Sequence, residues 1–193
     1  MALTIMMMME IDRAIILAAG SSSRLGRPKA LIQVGEITLI EMIASRLEEV
    51  GLSVTIVTRK ELADRIRLLL PEHHVVVNLE PEKGRTGSVQ CGLESVGKIP
   101  VLIVPIDRPG FSVQTLHKLC HSEVTACPVK DGKGGHPLAL SIEDSNNILN
   151  ENPNQPLRSL ISPSRIEVDD PYLHLNIDME EDVEHLLKVV DDL

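Results

Sequence analysis

The apolar run RAIILAAG, from Arg13 to Gly20, constrains the fold more than any other part of this chain. Its apolar residues follow one another without the alternation expected of a strand with one solvated face, and glycine ends the run. Continuous apolar runs of this length are typical of parallel strands buried on both faces. We therefore predict a central parallel strand here, in a sheet that helices cover on both sides.

Strand and helix patterns alternate along the next hundred residues. Further strands are predicted in SVTIVTR, HVVVN and PVLIVPID, and helices in TLIEMIASRLEEV (stopped by Gly51), ELADRIRLLL and SVQTLHKLC (capped by Ser112). After Val124 the pattern changes to the short extended pieces VTACPVK, DGKGGHPLALS, RIEVDD and LHLNID, before a closing helix in EEDVEHLLKVV. The sequence thus predicts an α/β fold: a single domain over residues 1–193, with a doubly wound, mainly parallel (Rossmann-like) sheet and a small antiparallel addition in the C-terminal third.

Composition limits the partners of the chain. The net charge of −9 opposes general binding to nucleic acid or to an anionic membrane, and one Tyr, one Phe and no Trp leave no stacking platform for bases. Three cysteines without C-x-x-C spacing favour a reducing, cytoplasmic location. The first residues have no basic segment typical of a signal peptide, no later run is long enough to span a membrane, and residues 1–10 are expected to be a ragged N terminus.

The loop after the first strand, LAAGSSSRLGRPKALI, concentrates small residues and positive charge. It fails the dinucleotide fingerprint G-x-G-x-x-G, because Ser22 stands in place of the second glycine. It also fails the P-loop pattern, because five residues instead of four separate Gly20 from Gly26, and Arg27 and Pro28 precede Lys29. A solvated turn and a cradle for phosphates both remain open at this point.

A third pattern, L-A-A-G-x-S-x-R-x-G-x-x-K, is matched in order and at the right place in the fold by Leu17, Ala18, Ala19, Gly20, Ser22, Arg24, Gly26 and Lys29. The loop thereby resembles that of the nucleotidyltransferases that make nucleotide-activated sugars, terpenoid precursors and dinucleotide forms of the molybdenum cofactor. Glycine lets the backbone approach a triphosphate closely, and successive N–H groups form an anion nest. Arg24 and Lys29 would neutralise the charge that grows on departing pyrophosphate.

The resemblance implies a nucleotide-binding set that extends into a second loop, KGRTGSVQCGLE, near the base and ribose. An ordinary helix cap explains the same Thr, Gly and Ser without a function. The expected nucleotide-binding residues are Leu17, Ala18, Ala19, Gly20, Ser21, Ser22, Arg24, Lys29, Asn78, Thr86, Gly87 and Ser88, and the expected catalytic residues are Lys29, Arg24 and Asp107.

The resemblance also implies a Mg²⁺ site. Asp107, in VPIDRPG, follows a buried strand, where α/β sheets bind ligands, and reproduces a D-x-P context with Pro109. LNIDMEEDVE resembles the segment that supplies the other metal contact, from Asp178 or Asn176, although Met179 and Glu180 replace the usual Thr-Pro. Helix or turn capping is the alternative for both aspartates. Two such oxygen ligands suffice for Mg²⁺ alongside phosphate oxygens and water.

The turn Gly135, His136 and Pro137 in DGKGGHPLAL resembles that of members acting on the molybdenum cofactor, and implies contacts to the acceptor; a plain hairpin turn is the alternative. The resemblance as a whole is to molybdopterin cytidylyl- and guanylyltransferases. It implies Mg²⁺-dependent transfer of a nucleotide from CTP or GTP to a phosphorylated acceptor, with a molybdoenzyme or cofactor-insertion protein as a partner. Another small phosphorylated acceptor (a sugar or alcohol phosphate) and a nucleotide-binding protein without catalysis remain alternatives, the latter because DMEED departs from the usual pattern.

Overall fold

The computed structural model describes residues 9–193. The strands are β1 (Arg13–Ala18), β2 (Gln33–Val34), β3 (Ile37–Thr38), β4 (Ser53–Arg59), β5 (His74–Asn78), β6 (Val101–Pro105), β7 (Ala126–Lys130), β8 (Lys133–Gly134), β9 (Leu138–Leu140) and β10 (Ser164–Glu167). The α-helices are α1 (Leu39–Glu49), α2 (Lys60–Leu69), α3 (Gly84–Val96), α4 (Val113–Cys120), α5 (Ile142–Asn150) and α6 (Glu180–Val189). Short 3₁₀ helices lie at Lys29–Leu31, Pro81–Lys83, Leu157–Ser159 and Val190–Asp192.

The predicted ragged N terminus falls largely on residues 1–8, which lie outside the described residues. Where the description begins, the backbone is tied to the end of α4, because the Met9 N–H donates to the Ser122 carbonyl at 2.9 Å. Among residues 9–193, no helix combines the length and the apolar character needed to cross a bilayer.

Strand β1 is the central strand, as its apolar run predicts. Its side chains alternate between two hydrophobic cores: Ala14 and Ile16 pack in one, and Ile15 and Leu17 in the other. All four are at most 7% exposed. The first core includes residues from α1, α2, α4 and α6, and the second includes residues from α3 and α5, so helices cover both faces and the doubly wound prediction is confirmed.

The strand order is β10-β7-β9-β6-β1-β4-β5, with β8 paired to β7. β1 runs parallel to β4, with Ile16 opposite Ile56, and parallel to β6, with Leu17 opposite Pro105. The chain winds outward from β1 through β4 to β5 and then returns to place β6 on the other side of β1. The carboxyl ends of β1 and β6 therefore flank a topological switch point, where open α/β sheets bind ligands.

The antiparallel addition in the C-terminal third is confirmed but smaller than the sequence suggests. β9 runs antiparallel to both β6 and β7, and β8 antiparallel to β7, whereas β10 runs parallel to β7. A separate antiparallel pair, β2 with β3, was not predicted. Gly35, with φ of +65°, permits the two-residue turn that joins them.

LHLNID is not a strand, contrary to the prediction from its alternating pattern. Residues 173–178 carry no ladder pairing, and α6 follows two residues later. The alternation instead reflects burial, since Leu173, Leu175 and Ile177 are at most 8% exposed. Asn176 and Asp178 therefore lie on an irregular segment and not beside a last strand.

Candidate active site

The loop after β1 folds back on itself around Ser22. Ser22 and Gly26 both have positive φ values, of 51° and 71°. The carbonyl oxygen of Ser22 accepts a hydrogen bond from the Gly26 N–H (3.0 Å), and its Oγ accepts one from the Lys29 N–H (3.3 Å). Within the described residues, none of the backbone N–H groups of residues 20–23 donates a hydrogen bond, which leaves them available to an anion.

Lys29, Asp107 and Asp178 meet at the mouth of this loop. The Nζ of Lys29 lies 2.6 Å from Oδ1 of Asp178 and 3.6 Å from Oδ2 of Asp107. The two aspartates belong to segments that are bonded to each other, because the Ile177 N–H donates to the Asp107 carbonyl at 3.0 Å. The lysine side chain is only 12% exposed, so its charge acts in a partly desolvated place.

Asp178 is surrounded by donors. Hydrogen bonds from Lys29 and then from Asn176 (Nδ2 to Oδ2, 2.8 Å) lower the pKa of this carboxyl to about 2, and the charge of Arg24 acts in the same direction. Arg24 Nη1 lies 3.1 Å from Oδ2. Asp178 is therefore ionised at neutral pH, and the Asn176 amide orients it.

The loop after β1 is also tied to the start of α6. Arg27 pairs with Glu180, beside the contact of Arg24 with Asp178. Asp178 does not cap the helix: the carboxylate of Asp182 accepts from the N–H groups of Asp178 (2.8 Å) and Met179 (2.7 Å). Asp182 thereby starts the helix where the Thr-Pro of the expected pattern is missing.

Two adjoining cavities lie over the switch point. The first, of about 260 Å³, is lined by the end of β1, by Lys29 and Asp107, and by the start of α3. The second, of about 200 Å³, shares Gly20, Ser22 and Lys29 with the first and adds Ser21, Arg24 and Asp178. All residues predicted to bind nucleotide in the first loop thus line one continuous site: Leu17, Ala18, Ala19, Gly20, Ser21, Ser22, Arg24 and Lys29.

The second predicted loop is part of a helix. Thr86, Gly87 and Ser88 lie inside α3, which begins at Gly84, where a φ of +87° lets the chain turn from the preceding 3₁₀ helix. Ser88 lines the 260 Å³ cavity, but Thr86 is 2% exposed and donates its hydroxyl to the Gln155 carbonyl at 2.6 Å.

Asn78 supports α3 and does not line the main cavity. Its Nδ2 donates to Ser88 Oγ (3.1 Å), and its Oδ1 accepts from the Glu80 N–H (2.9 Å). With Gly87 it lines a separate cavity of about 290 Å³. Of the nucleotide-binding residues predicted outside the first loop (Asn78, Thr86, Gly87 and Ser88), only Ser88 therefore lines the same cavity as the loop after β1.

The turn Gly135-His136-Pro137 is brought close to Asp107. Burial, together with the positive charges of Arg85 and Arg108, lowers the pKa of His136 to about 4, while the charge of Asp107 acts in the opposite direction. His136 is therefore uncharged at neutral pH. Pro137 is buried, and Gly135 packs so closely on Leu173 that an added Cβ would lie 2.6 Å from the leucine Cγ.

Three arginines of the site were not predicted. Arg85 lines the main cavity, Arg108 Nη1 donates to the His174 carbonyl while its charge acts on the pKa of His136, and Arg59 Nη1 donates to the Gly20 carbonyl at 3.3 Å. Arg59 ends β4, next to β1, so its place at the carboxyl edge of the sheet was a usable signal. Arg108 follows Asp107 after β6 and carried the same signal, whereas Arg85, at the start of α3, gave none.

Known proteins resemble this chain in sequence. Residues 14–168 match the sequence profile of the MobA-like NTP transferase domain. A probable molybdenum cofactor guanylyltransferase of Bacillus mycoides (strain KBAB4) is 30% identical over 100 residues, which is 51% of this chain and 50% of the relative. A molybdenum cofactor guanylyltransferase of Vibrio atlanticus (strain LGP32) is 30% identical over 108 residues, 55% of this chain and 54% of the relative. The chain thus spans about half the length of the curated relatives it matches.

Solved structures share the fold. The homologue of Mycobacterium tuberculosis rv0371c from Mycobacterium sp. strain JC1 has a TM-score of 0.78 at 22% identity, over 93% of this chain and 96% of that one. Molybdopterin-guanine dinucleotide biosynthesis protein A from Archaeoglobus fulgidus has a TM-score of 0.71 at 14% identity, over 94% and 100%. The Rv0371C complex with manganese from M. tuberculosis H37Rv has a TM-score of 0.74 at 19% identity, over 91% and 97%.

Proposed function

The chain belongs to the MobA-like NTP transferase domain family, and from that premise we propose that it transfers a nucleoside monophosphate from GTP or CTP to a phosphorylated acceptor. The acceptor is molybdopterin or the molybdenum cofactor. A phosphate oxygen of the acceptor forms a bond to the α-phosphorus of the nucleotide, the bond from that phosphorus to the bridging oxygen breaks, and pyrophosphate leaves.

The observation that carries this proposal is the bridge from Lys29 to Asp107 and Asp178 beside the phosphate loop. It lies at the switch point of the sheet, beside the second cavity, which residues 20–24 of the loop help to line. Lys29 and Arg24 are placed to pair with oxygens of the triphosphate and with the charge that develops on pyrophosphate. The loop and these cations hold the leaving group, so catalysis rests on positioning and charge neutralisation.

The donor set fits a divalent cation that is held jointly with the nucleotide. Both aspartates approach the same ammonium group, so their carboxylates converge on one place, where a divalent cation could be shared. Among residues 9–193, no group of three His, Cys, Asp or Glu side chains could hold a metal by itself. Mg²⁺ binds through one or two carboxylates together with phosphate oxygens and water, and we propose Asp107 and Asp178 as those ligands. When bound, it would neutralise charge on the phosphates.

The acceptor needs no general base in this reaction. A phosphate monoester has its second pKa at about 6, so its oxygen is already ionised at neutral pH. His136, uncharged at that pH, would donate or accept one hydrogen bond without adding charge. We propose that the turn Gly135-His136-Pro137 contacts the acceptor, because the charge of Asp107 acts on His136.

GTP and the molybdenum cofactor are supported by the names of the curated relatives. A relative from Thermococcus kodakarensis, named bifunctional IPC transferase and DIPP synthase, is 33% identical over 91 residues, 44% of this chain and 21% of the relative. This similarity is the reason for including a sugar phosphate and an alcohol phosphate as acceptors in the assay. A molybdoenzyme or cofactor-insertion protein is the partner that would receive the product.

The test is pyrophosphate release with GTP, CTP, ATP and UTP, each with molybdopterin, molybdenum cofactor, a sugar phosphate or an alcohol phosphate as acceptor, with Mg²⁺ or EDTA. We expect release with GTP or CTP and a molybdopterin acceptor, and none with EDTA. Lys29→Met and Asp107→Asn should each lower kcat by about 100-fold or more, as removal of a group that stabilises developing charge does.

The matched control is Lys98→Met, because Lys98 is exposed and precedes β6, at the end of the strand opposite to Asp107. Near wild-type rates for both site variants would refute the assignment of these residues. Nucleotide binding without pyrophosphate release from any acceptor would favour a nucleotide-binding protein without catalysis.

A further inference from the structure

The helix that follows Asp178 has an unusual start. α6 begins at Glu180, so Met179 occupies the N-cap position, where a hydroxyl, amide or carboxylate usually accepts from the first N–H groups. The thioether of methionine is too weak an acceptor for this role. Asp182, in the first turn of the helix, supplies the acceptor instead: its Oδ2 accepts from the N–H groups of Met179 (2.7 Å) and Asp178 (2.8 Å). One carboxylate oxygen therefore holds two successive backbone N–H groups.

The bond from the Asp178 N–H goes beyond what the cap of a helix needs. In a capping box, the acidic residue of the first turn reaches back to the backbone N–H of the N-cap residue. α1 has this ordinary arrangement, because Glu41 accepts from the N–H (2.8 Å) and the hydroxyl (2.6 Å) of its N-cap residue, Thr38. Asp182 reaches one residue further back along the chain. The additional bond therefore acts on Asp178 and not on the helix itself.

Asp182 holds Asp178 from a fixed position. α6 packs on the hydrophobic core through three side chains that are at most 8% exposed: Val183, Leu186 and Val189. Residues 173–178, in contrast, carry no ladder pairing, so the backbone of Asp178 depends on individual hydrogen bonds. Its N–H lies in the same planar peptide unit as the Ile177 carbonyl. Fixing that plane limits the direction in which the side chain of Asp178 leaves the backbone.

The main chain at Asp178 is thereby tied on two sides. The Ile177 N–H donates to the Asp107 carbonyl at 3.0 Å, and the next N–H along the chain donates to Asp182. Between these ties the Asp178 carboxylate lies 2.6 Å from the Lys29 ammonium, which Asp107 also approaches. Loss of the Asp182 carboxylate would free the backbone on the helix side, and with it the direction of the Asp178 carboxylate.

The contacts of Asp182 do not support a role as a metal ligand. Its Oδ2 already accepts two hydrogen bonds, and within the described part of the chain no three His, Cys, Asp or Glu side chains are grouped so that they could hold a metal. We propose that Asp182 is a positioning residue: through the Asp178 N–H it holds the Asp178 carboxylate beside Asp107, ready to share a divalent cation. The inference rests on the proposed function and adds one residue to it. Groups that orient a metal ligand contribute about 10–100-fold to metal affinity.

The test measures binding of Mn²⁺ by the full chain, from the electron paramagnetic resonance signal of the free ion. The nucleotide site is saturated with an α,β-methylene analogue of GTP or CTP, in which the bond that would break in the reaction is replaced. The variants are Asp182→Ala, which removes the acceptor, and Asp182→Asn, which removes the charge but keeps an oxygen that accepts from both N–H groups. Thermal unfolding of each variant records its loss of stability.

Ser141→Ala is the matched control, because it removes a helix cap away from the site. The Oγ of Ser141 accepts from the Asp144 N–H at 3.2 Å and caps α5. Ser141 directly follows Leu140, which pairs with Val101 at the start of β6, the end of that strand opposite to Asp107. Its loss lowers stability by removal of a cap without touching either aspartate.

We expect Asp182→Ala to weaken Mn²⁺ binding at least about tenfold. Asp182→Asn should stay within about threefold of the wild type, because its amide oxygen still accepts from the backbone. Ser141→Ala should leave Mn²⁺ affinity unchanged while lowering the Tm.

Three results would overturn the proposal. They are wild-type Mn²⁺ affinity in Asp182→Ala, an equal loss in Asp182→Asn, which would assign the effect to charge, and an equal loss in Ser141→Ala, which would assign it to stability. Pyrophosphate release by the wild type is measured alongside. If the wild type releases pyrophosphate, any of these results contradicts this inference and leaves the proposed nucleotidyl transfer standing. A wild type that neither binds Mn²⁺ with the analogue nor releases pyrophosphate contradicts both.

Discussion

Gly110→Ala tests whether the two aspartates depend on the backbone junction between their segments. An added Cβ would lie 1.7 Å from the carbonyl oxygen of Tyr172 and 2.5 Å from its carbonyl carbon. Carbon–oxygen contacts of this kind are comfortable at about 3.3 Å, so the backbones must separate by roughly 1.6 Å. No side-chain rotation can relieve the contact, because both groups are fixed to the main chain.

The separation acts directly on the site. The same two segments carry Asp107 and Asp178 and are joined by the hydrogen bond from the Ile177 N–H to the Asp107 carbonyl. A misplacement of about 1 Å costs roughly 100-fold in rate, so we expect kcat for pyrophosphate release to fall by about that factor. Overpacking costs about 1–3 kcal/mol, and at about 2–4 °C per kcal/mol in a domain of this size the Tm falls by about 2–12 °C.

The assay is therefore pyrophosphate release at a temperature well below the Tm of the variant, with thermal unfolding measured in parallel. Gly134→Ala is the matched control, since its Cβ would lie 3.5 Å from Sγ of Cys127, an ordinary contact. We expect it to change stability by less than about 0.5 kcal/mol. Wild-type activity and Tm in Gly110→Ala would refute the claim that this junction sets the geometry of the site.

Two further predictions concern stability. Gly92→Ala should be less stable than Gly87→Ala, a change in the same helix, when the two are compared by urea unfolding. A Cβ at Gly92 would lie 2.7 Å from Ile15 Cγ2. Overpacking costs about 1–3 kcal/mol, which outweighs the helix-propensity gain of about 1 kcal/mol. The free energy of unfolding should fall as the pH drops from about 6.5 to about 4. In this range His136 binds a proton in the unfolded chain but not in the folded chain, where its pKa is lowered to about 4. His136→Gln should flatten that part of the pH profile, and an unchanged slope would contradict it.

The central sheet could be predicted because its signal is local. SVTIVTR and HVVVN coincide with β4 and β5, since a strand buried on both faces is a continuous apolar run whose ends are marked by polar residues. The central place of β1 follows from the same property. Nothing comparable marks the β2–β3 pair, whose strands have two residues each.

In LHLNID, the alternation of apolar and polar residues predicts burial correctly but does not predict strand pairing. Its leucines and isoleucine are buried as a strand pattern predicts, yet the N–H of Ile177 bonds to the Asp107 carbonyl and not to a neighbouring strand. Burial is recorded in the side chains, whereas ladder pairing depends on where other segments lie. The start of α3 before Thr86 was not predicted for a related reason: a Thr-Gly-Ser sequence is equally typical of a helix cap and of a loop.

The convergence of Lys29, Asp107 and Asp178 was accessible from sequence because carboxyl ends of neighbouring parallel strands meet at one edge of the sheet. Two of these residues follow β1 and β6. The arrangement of Arg85, Arg108 and His136 was not accessible, since it depends on how the start of α3 and the turn before β9 pack around the site. Asp182 as the residue that starts α6 was likewise hidden, because Met179 removed the expected pattern.

The ion pairs of the site bear on the cost of binding a triphosphate. Lys29 and Arg24 balance the charges of Asp107 and Asp178, so this cluster of four side chains is neutral in the protein alone, and each of the four charges has a partner. A triphosphate that arrives with a divalent cation can take over both sets of partners, the cations by its oxygens and the carboxylates by the metal. Binding then replaces one set of ion pairs with another. It therefore leaves fewer charges unpaired than the binding of a triphosphate in a cavity without charged side chains would.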